Sequence, residues 1–115
     1  MANTFKTITK AGVTTADVIY TVAGSTTTVV LGLMLGNTTG NDITATVTLG
    51  TDTANRAGNN DEANQTVELI TSTSIPANST LELLSGNKVV METTDTLSVT
   101  GSAATDVALS VMEIT

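Results

Sequence analysis

The densest group of side chains able to do chemistry lies between Gly50 and Gln65, in the run GTDTANRAGNNDEANQ. Asp52, Asp61 and Glu62, with the amide oxygens of Asn55, Asn59 and Asn60, are the hard oxygen donors that a calcium ion takes. Their spacing is not the regular one of a calcium loop, and a solvated loop is the commoner reading of such a cluster. Arg56, the one arginine of the chain, stands in the same run. It is a candidate anchor to a carboxylate on another subunit, set against the plainer reading of a solvated side chain.

Two further carboxylates, Glu82 and Glu92, fall on strands expected to be neighbours, which is the minimal arrangement for glycoside hydrolysis. A sugar site normally adds aromatic platforms, and this chain has only Phe5 and Tyr20, so outward-facing strand residues are the better reading. Asp95 and Asp106 sit where turns are expected and read as carboxylates that cap nearby backbone amides. The chain has no His and no Cys. Imidazole as general base or metal ligand is therefore excluded, as are disulfides and thiolate metal sites. Ser and Thr are abundant, but without His or a Gly-x-Ser-x-Gly turn a hydrolase triad has no support. Three Asn-x-Thr matches, at Asn37, Asn64 and Asn78, are no more than chance provides when Thr is so common. No catalytic residue, cofactor site or metal site is assigned.

The elements that hold these residues are strands. Asn3 to Thr9 reads as an edge strand or an arm reaching onto a neighbour, broken at Ala11-Gly12-Val13. Asp17 to Val22 places Val18, Tyr20 and Val22 on one face of a short strand. Thr27 to Leu35 is continuously apolar and reads as a strand buried on both sides, with Gly32 marking a bulge or the close approach of another backbone. Ile43, Ala45, Val47 and Leu49 alternate with Thr44, Thr46 and Thr48, so a threonine face should meet water or a partner. Thr66 to Thr71 resumes the sheet. Pro76 pushes Ile75 into an extended conformation, and Leu81 to Thr100 is expected to form a three-stranded meander through turns at Ser85-Gly86-Asn87 and Thr93-Thr94-Asp95. Val107 to Ile114 closes the chain, with Val107, Leu109 and Val111 on one face and Met112 and Ile114 on the other.

These short strands, joined by Gly and Asn turns with no helical period, predict an all-β chain: an antiparallel β-sandwich, jelly-roll-like, of about eight or nine strands. Residues 1–115 are expected to form one domain, with 1–10 as a possible arm or edge strand and 50–65 as the long polar loop. The chain holds 26 Thr, a β-branched residue suited to a pleated surface. With so few aromatics, Val, Ile, Leu and Met must supply the core, and about a third of the unfolded surface of a chain this size stays exposed after folding. Contact with sister subunits would offset that thinness. A formal charge of −7 disfavours nucleic acid and anionic membrane surfaces as partners. The longest apolar run, Val29 to Leu35, is about a third of the roughly 20 residues that span a bilayer. The opening Met1 to Lys6 lacks the pattern of a secretory signal, so synthesis in a cytoplasm is expected.

Several stretches together resemble a group of small tailed-bacteriophage virion structural proteins of marine and cyanobacterial phages. They are Met1 to Phe5, Ile19 to Thr27, the apolar strand Leu31 to Asn37, Pro76 to Leu81, Gly86 to Glu92 with Asp95-x-Leu97-x-Val99, and Leu109 to Ile114. The similarity runs nearly end to end, and its motifs are turn and core positions. Ala23-Gly24 stands where the group usually has a proline, and the 50–65 loop has no counterpart in it. The resemblance implies a non-enzymatic virion subunit, a capsid decoration or cement protein, made in the host cytoplasm. A tail, neck or baseplate component is the alternative within that class. The thin core leads us to expect a homo-oligomer, with a trimer favoured, and the resemblance implies that it meets the major capsid protein or other virion proteins. From a different class, the 50–65 loop could serve a receptor- or glycan-binding module, with Asp52, Asn55, Arg56, Asn59, Asn60, Asp61 and Glu62 as its contact residues.

Overall fold

The structure is a computed structural model that describes residues 2–51, 65–84, 86 and 88–115. Among them nine strands form: β1 (Asn3–Val13), β2 (Asp17–Thr21), β3 (Thr27–Asn37), β4 (Ile43–Thr51), β5 (Gln65–Ile75), β6 (Thr80–Leu83), β7 (Val89–Met91), β8 (Thr96–Gly101) and β9 (Thr105–Ile114). One sheet runs β1-β9-β3-β6, with β7 also on β3, and the other runs β2-β8-β4-β5. Every pairing is antiparallel. β1 meets β9, β2 meets β8, β3 meets β6 and β7, and β4 meets β5. The chain is therefore one long antiparallel ribbon, doubled back between β4 and β5 and wrapped so that successive pairs fall in alternate sheets. That is the jelly-roll form of the β-sandwich, as the strand pattern predicts.

Alternation explains which side of each strand faces the core. Along β4, Ile43, Ala45 and Val47 are buried while Thr44 points out, as expected. In β9, Val107, Leu109 and Val111 point in, opposite Leu35, Leu33 and Val30 of β3. They pack as one cluster with Val47, Leu97 and Val99 of the other sheet. Each fully buried Val or Leu contributes on the order of 1.5–3 kcal/mol, so this aliphatic layer carries the fold without an aromatic centre. β3 does bulge where Gly32 marked it: its register against β9 shifts between Val30 and Gly32. A Cβ on Gly32 would touch nothing, so the glycine marks the bulge and not a close backbone approach.

Four expectations need correction. The stretch after Pro76 is not a meander. β6 and β7 lie one after the other along the same edge of β3, and β8 crosses to the other sheet between β2 and β4. Alternation within each short strand was legible, but period alone does not say which strand is the neighbour. The first strand is not broken at Ala11-Gly12-Val13: it continues to Val13 through a bulge, with Gly12 at φ +68°. Val18 and Tyr20 do not share a face, because β2 bulges between them; Val18 is opposite Ser98 and Tyr20 opposite the buried Leu97. Finally, β3 is covered on its inner side only, and Met34 on its outer side is 46% exposed.

Candidate functional site

The site residues singled out in the sequence, Asp52, Asn55, Arg56, Asn59, Asn60, Asp61 and Glu62, lie outside the described residues. On either side of them, Thr51 and Gln65 pair at the end of the β4–β5 ladder away from Ile43 and Ile75. Among the described residues, no three acidic side chains gather as metal ligands.

The carboxylate pair does not form. Glu82 lies opposite Met34 on β3, whereas Glu92 follows Met91, which lies opposite Thr28. At the rise of a strand, those two positions are on the order of 20 Å apart along β3. Both glycosidase geometries need less than about 10 Å. Asp95 behaves as expected of a turn residue: it is fully buried, and its Oδ2 accepts a hydrogen bond from the Glu92 amide at 2.9 Å. Asp106 is within β9, not in a turn. Its Oδ1 accepts from the Gly12 amide at 3.0 Å, tying down the bulge of β1 from the adjacent strand.

Two polar centres escaped the sequence reading. Asn37, at the end of β3, is 3% exposed. Its Nδ2 donates to the carbonyls of Asn41, Ile75 and Pro76 at 2.8, 3.0 and 3.1 Å. Its Oδ1 accepts from the Thr39 amide at 2.9 Å and the Thr39 hydroxyl at 2.7 Å. One amide thus closes the β3–β4 turn and fastens it to the end of β5. The Asn37-x-Thr39 triplet is a buried turn lock, and Asn37 is not available for glycosylation.

The second centre joins the two sheets. Glu113 continues the inward face of β9 past Val111, opposite Thr28 of β3. Its carboxylate, with a side chain 13% exposed, accepts from the Lys6 ammonium at 2.8 Å and the Tyr20 hydroxyl at 2.5 Å. The same hydroxyl lies 2.8 Å from Thr28 Oγ1. The Lys6 ammonium, then the Tyr20 hydroxyl, hold the Glu113 carboxyl below its ordinary value against the opposing effect of burial. Burial first, then the hydrogen bond to Glu113, pushes the Tyr20 phenol up to about 12. The Glu113 carboxylate, the Tyr20 hydroxyl and the Thr28 hydroxyl bond one another, with Lys6 closing the group at its exposed edge, so this cluster fastens β1, β2, β3 and β9 together.

The outer faces of the two sheets differ in kind. The four-stranded sheet presents Thr44, Thr46, Thr48, Ser74, Ser98 and Thr100, opposite one another across its strands. The five-stranded sheet presents Phe5, Met112, Val29 and Val90 in one row across β1, β9, β3 and β7. Leu31 and Met34 stand beside this row, bordering shallow hollows. The sequence carried this signal in the unbroken apolar run of β3, and the hydroxyl face in the alternation of β4.

No family model and no curated protein matches this sequence. Among solved structures, the chain is similar to one from disulfide-linked pili of Bacillus endospore appendages, with TM-score 0.48, 18% identity, and coverage of 99% of this chain and 87% of that one. It is also similar to a chain of the infectious bursal disease virus Gx strain, with TM-score 0.49, 12% identity, and coverage of 98% of this chain but only 37% of the viral one. At such identities and TM-scores these likenesses carry no conclusion about this chain.

Proposed function

We propose that this chain is a non-enzymatic structural subunit of a tailed-bacteriophage virion, acting on the capsid as a decoration or cement protein. The observation that carries the reading is an apolar outer sheet face that none of the described residues covers, in a jelly roll whose two polar clusters, at Asn37 and at Glu113, hold the fold. A subunit that works by contact needs surface, not a reacting group. The sequence resemblance to phage virion proteins supports the same reading, because residues that carry it take fold positions: Tyr20 joins the sheets, Asn37 locks a turn, and Leu97 and Val99 are core. Many copies, each making a modest contact, would act together on a symmetric shell. The charge of −7 would keep unassembled copies apart in the host cytoplasm. The 50–65 loop, with Arg56 and its neighbouring Asp and Asn residues, is the proposed second contact with other virion proteins.

Removing the gene from the phage that encodes the chain tests this directly. Particles are expected to assemble but to lose DNA at lower temperature or lower salt than the parent, with recovery when purified protein is added back. Particles of unchanged stability and reduced attachment to host cells would favour a receptor-binding role; particles with defective tails would favour the tail, neck or baseplate.

A further inference from the structure

The outer face of the five-stranded sheet shows two-sided burial in its sequence and one-sided burial in its fold. Of the five exposed large hydrophobics among the described residues, three, Phe5 at 70%, Val90 at 56% and Met34 at 46%, lie on it, and Val18 and Val67 lie on the other sheet. Leu31 and Met34 stand beside a hollow floored by small residues, Gly32, Ala108 and Ser110, and a second hollow, about 390 Å³, is edged by Met34 and Gly36 with Lys10 and Asp106 at its rim. Knobs and hollows thus alternate on one surface. Its paired positions direct Glu82 and Asp106 outward, both toward the end away from the Phe5 row, and Lys6 and Lys10 of the edge strand border its hollows.

We infer that this face is a homotypic interface, covered by the same face of a second copy of the chain. Three features select that occupant. First, the face carries both knobs and hollows, which a two-fold contact of one patch with itself requires, and Leu31 and Met34 of one copy would then seat in the hollows of the other. Second, two chains of charge −7 meet with least repulsion where charge is scarcest, whereas a basic partner would seek the acidic parts of the surface. An axis running across the strands keeps the Glu82–Asp106 ends at opposite rims. Third, a face about four strands wide and ten residues long covers roughly 600 Å² per copy, about 1,200 Å² in all, which reaches the lower bound of specific interfaces. The two sheets would stack about 10 Å apart, as sheets do inside a sandwich.

The inference rests on the structural-subunit reading for its purpose, but it is measured on the isolated protein. Sedimentation equilibrium of the purified chain, at concentrations up to roughly 200 µM, should show a dimer or a higher state built from dimers. The double variant Phe5→Glu with Val90→Glu places like charges across the contact, and the dissociation constant should rise roughly a hundredfold or more. Val18→Lys, on an exposed position of the other sheet, should leave association unchanged. Circular dichroism and thermal unfolding confirm that each variant folds; if the double variant does not, Met34→Lys replaces it, with the same result expected. A monomer throughout the concentration range overturns the inference, as does an oligomer that resists the face variants. Incorporation into particles is read separately, so a monomer that still enters virions sinks this interface alone, and a dimer absent from virions sinks the virion reading alone.

Discussion

At the scale of single residues, Asn37 shows why one polar side chain belongs in an aliphatic layer. Its amide donates to three carbonyls of the β3–β4 turn and the end of β5, two of which, Asn41 and Pro76, also accept from Thr39 and Ser79, and its oxygen holds the Thr39 amide. Asn37→Ala removes every bond of the Asn37 side chain and is expected to destabilise the fold by about 2–4 kcal/mol. Asn37→Asp keeps the shape but turns a donor into a carboxylate oxygen facing the carbonyls of Asn41, Ile75 and Pro76. It should cost at least as much at neutral pH, a result that urea unfolding of the two variants would check. Little of this was legible beforehand. The sequence marked Asn37 only as the end of an apolar strand beside a turn, because the Ile75 and Pro76 carbonyls it reaches lie 38 and 39 residues away. The strands of Glu82 and Glu92 were expected to be neighbours and are not, for the same reason: β6 and β7 lie end to end along β3, with Glu92 just past β7.

At the scale of elements, the Lys6–Glu113–Tyr20–Thr28 cluster fastens the edge strand β1 and the short strand β2 to the rest of the sandwich. Its pH dependence has two limbs. Glu113 titrates lower in the fold than its ordinary 4.5, so its contribution is complete above that pH and is lost as pH falls through the depressed value. Tyr20 is raised from 10.0 to about 12, so its contribution is complete below pH 10 and is lost as pH rises toward 12. Thermal unfolding across pH should therefore show a plateau that declines at both ends. Glu113→Gln should flatten the acid limb and Tyr20→Phe the alkaline limb, each lowering stability at neutral pH by about 1–3 kcal/mol. Equal acid limbs in the parent and Glu113→Gln would show that the carboxylate is not held as described. By contrast, the exposed Lys10–Asp17 pair, at 3.4 Å, contributes at most about 1 kcal/mol. The strands themselves were largely legible, since β4 and β9 follow their alternation. Bulges at Gly12 and between Val18 and Tyr20 were not read correctly, because an inserted residue reverses the face of everything after it.

At the scale of the whole molecule, the ribbon topology leaves a sandwich with two unlike outsides, one hydroxyl-rich and one apolar. A sequence with scarcely any aromatic residues and no His concentrates its distinctive chemistry in surface texture. Fold class could be read from Thr content and strand period, whereas the position of the apolar face required knowing that β1, β9, β3 and β7 stand side by side. The most direct test of the virion role is quantitative mass spectrometry of purified particles, taking the copy number of this chain relative to the major capsid protein. The decoration role predicts hundreds of copies per particle. A few to a few dozen would move the chain to the tail, neck or baseplate, and absence from purified particles would contradict the virion role altogether.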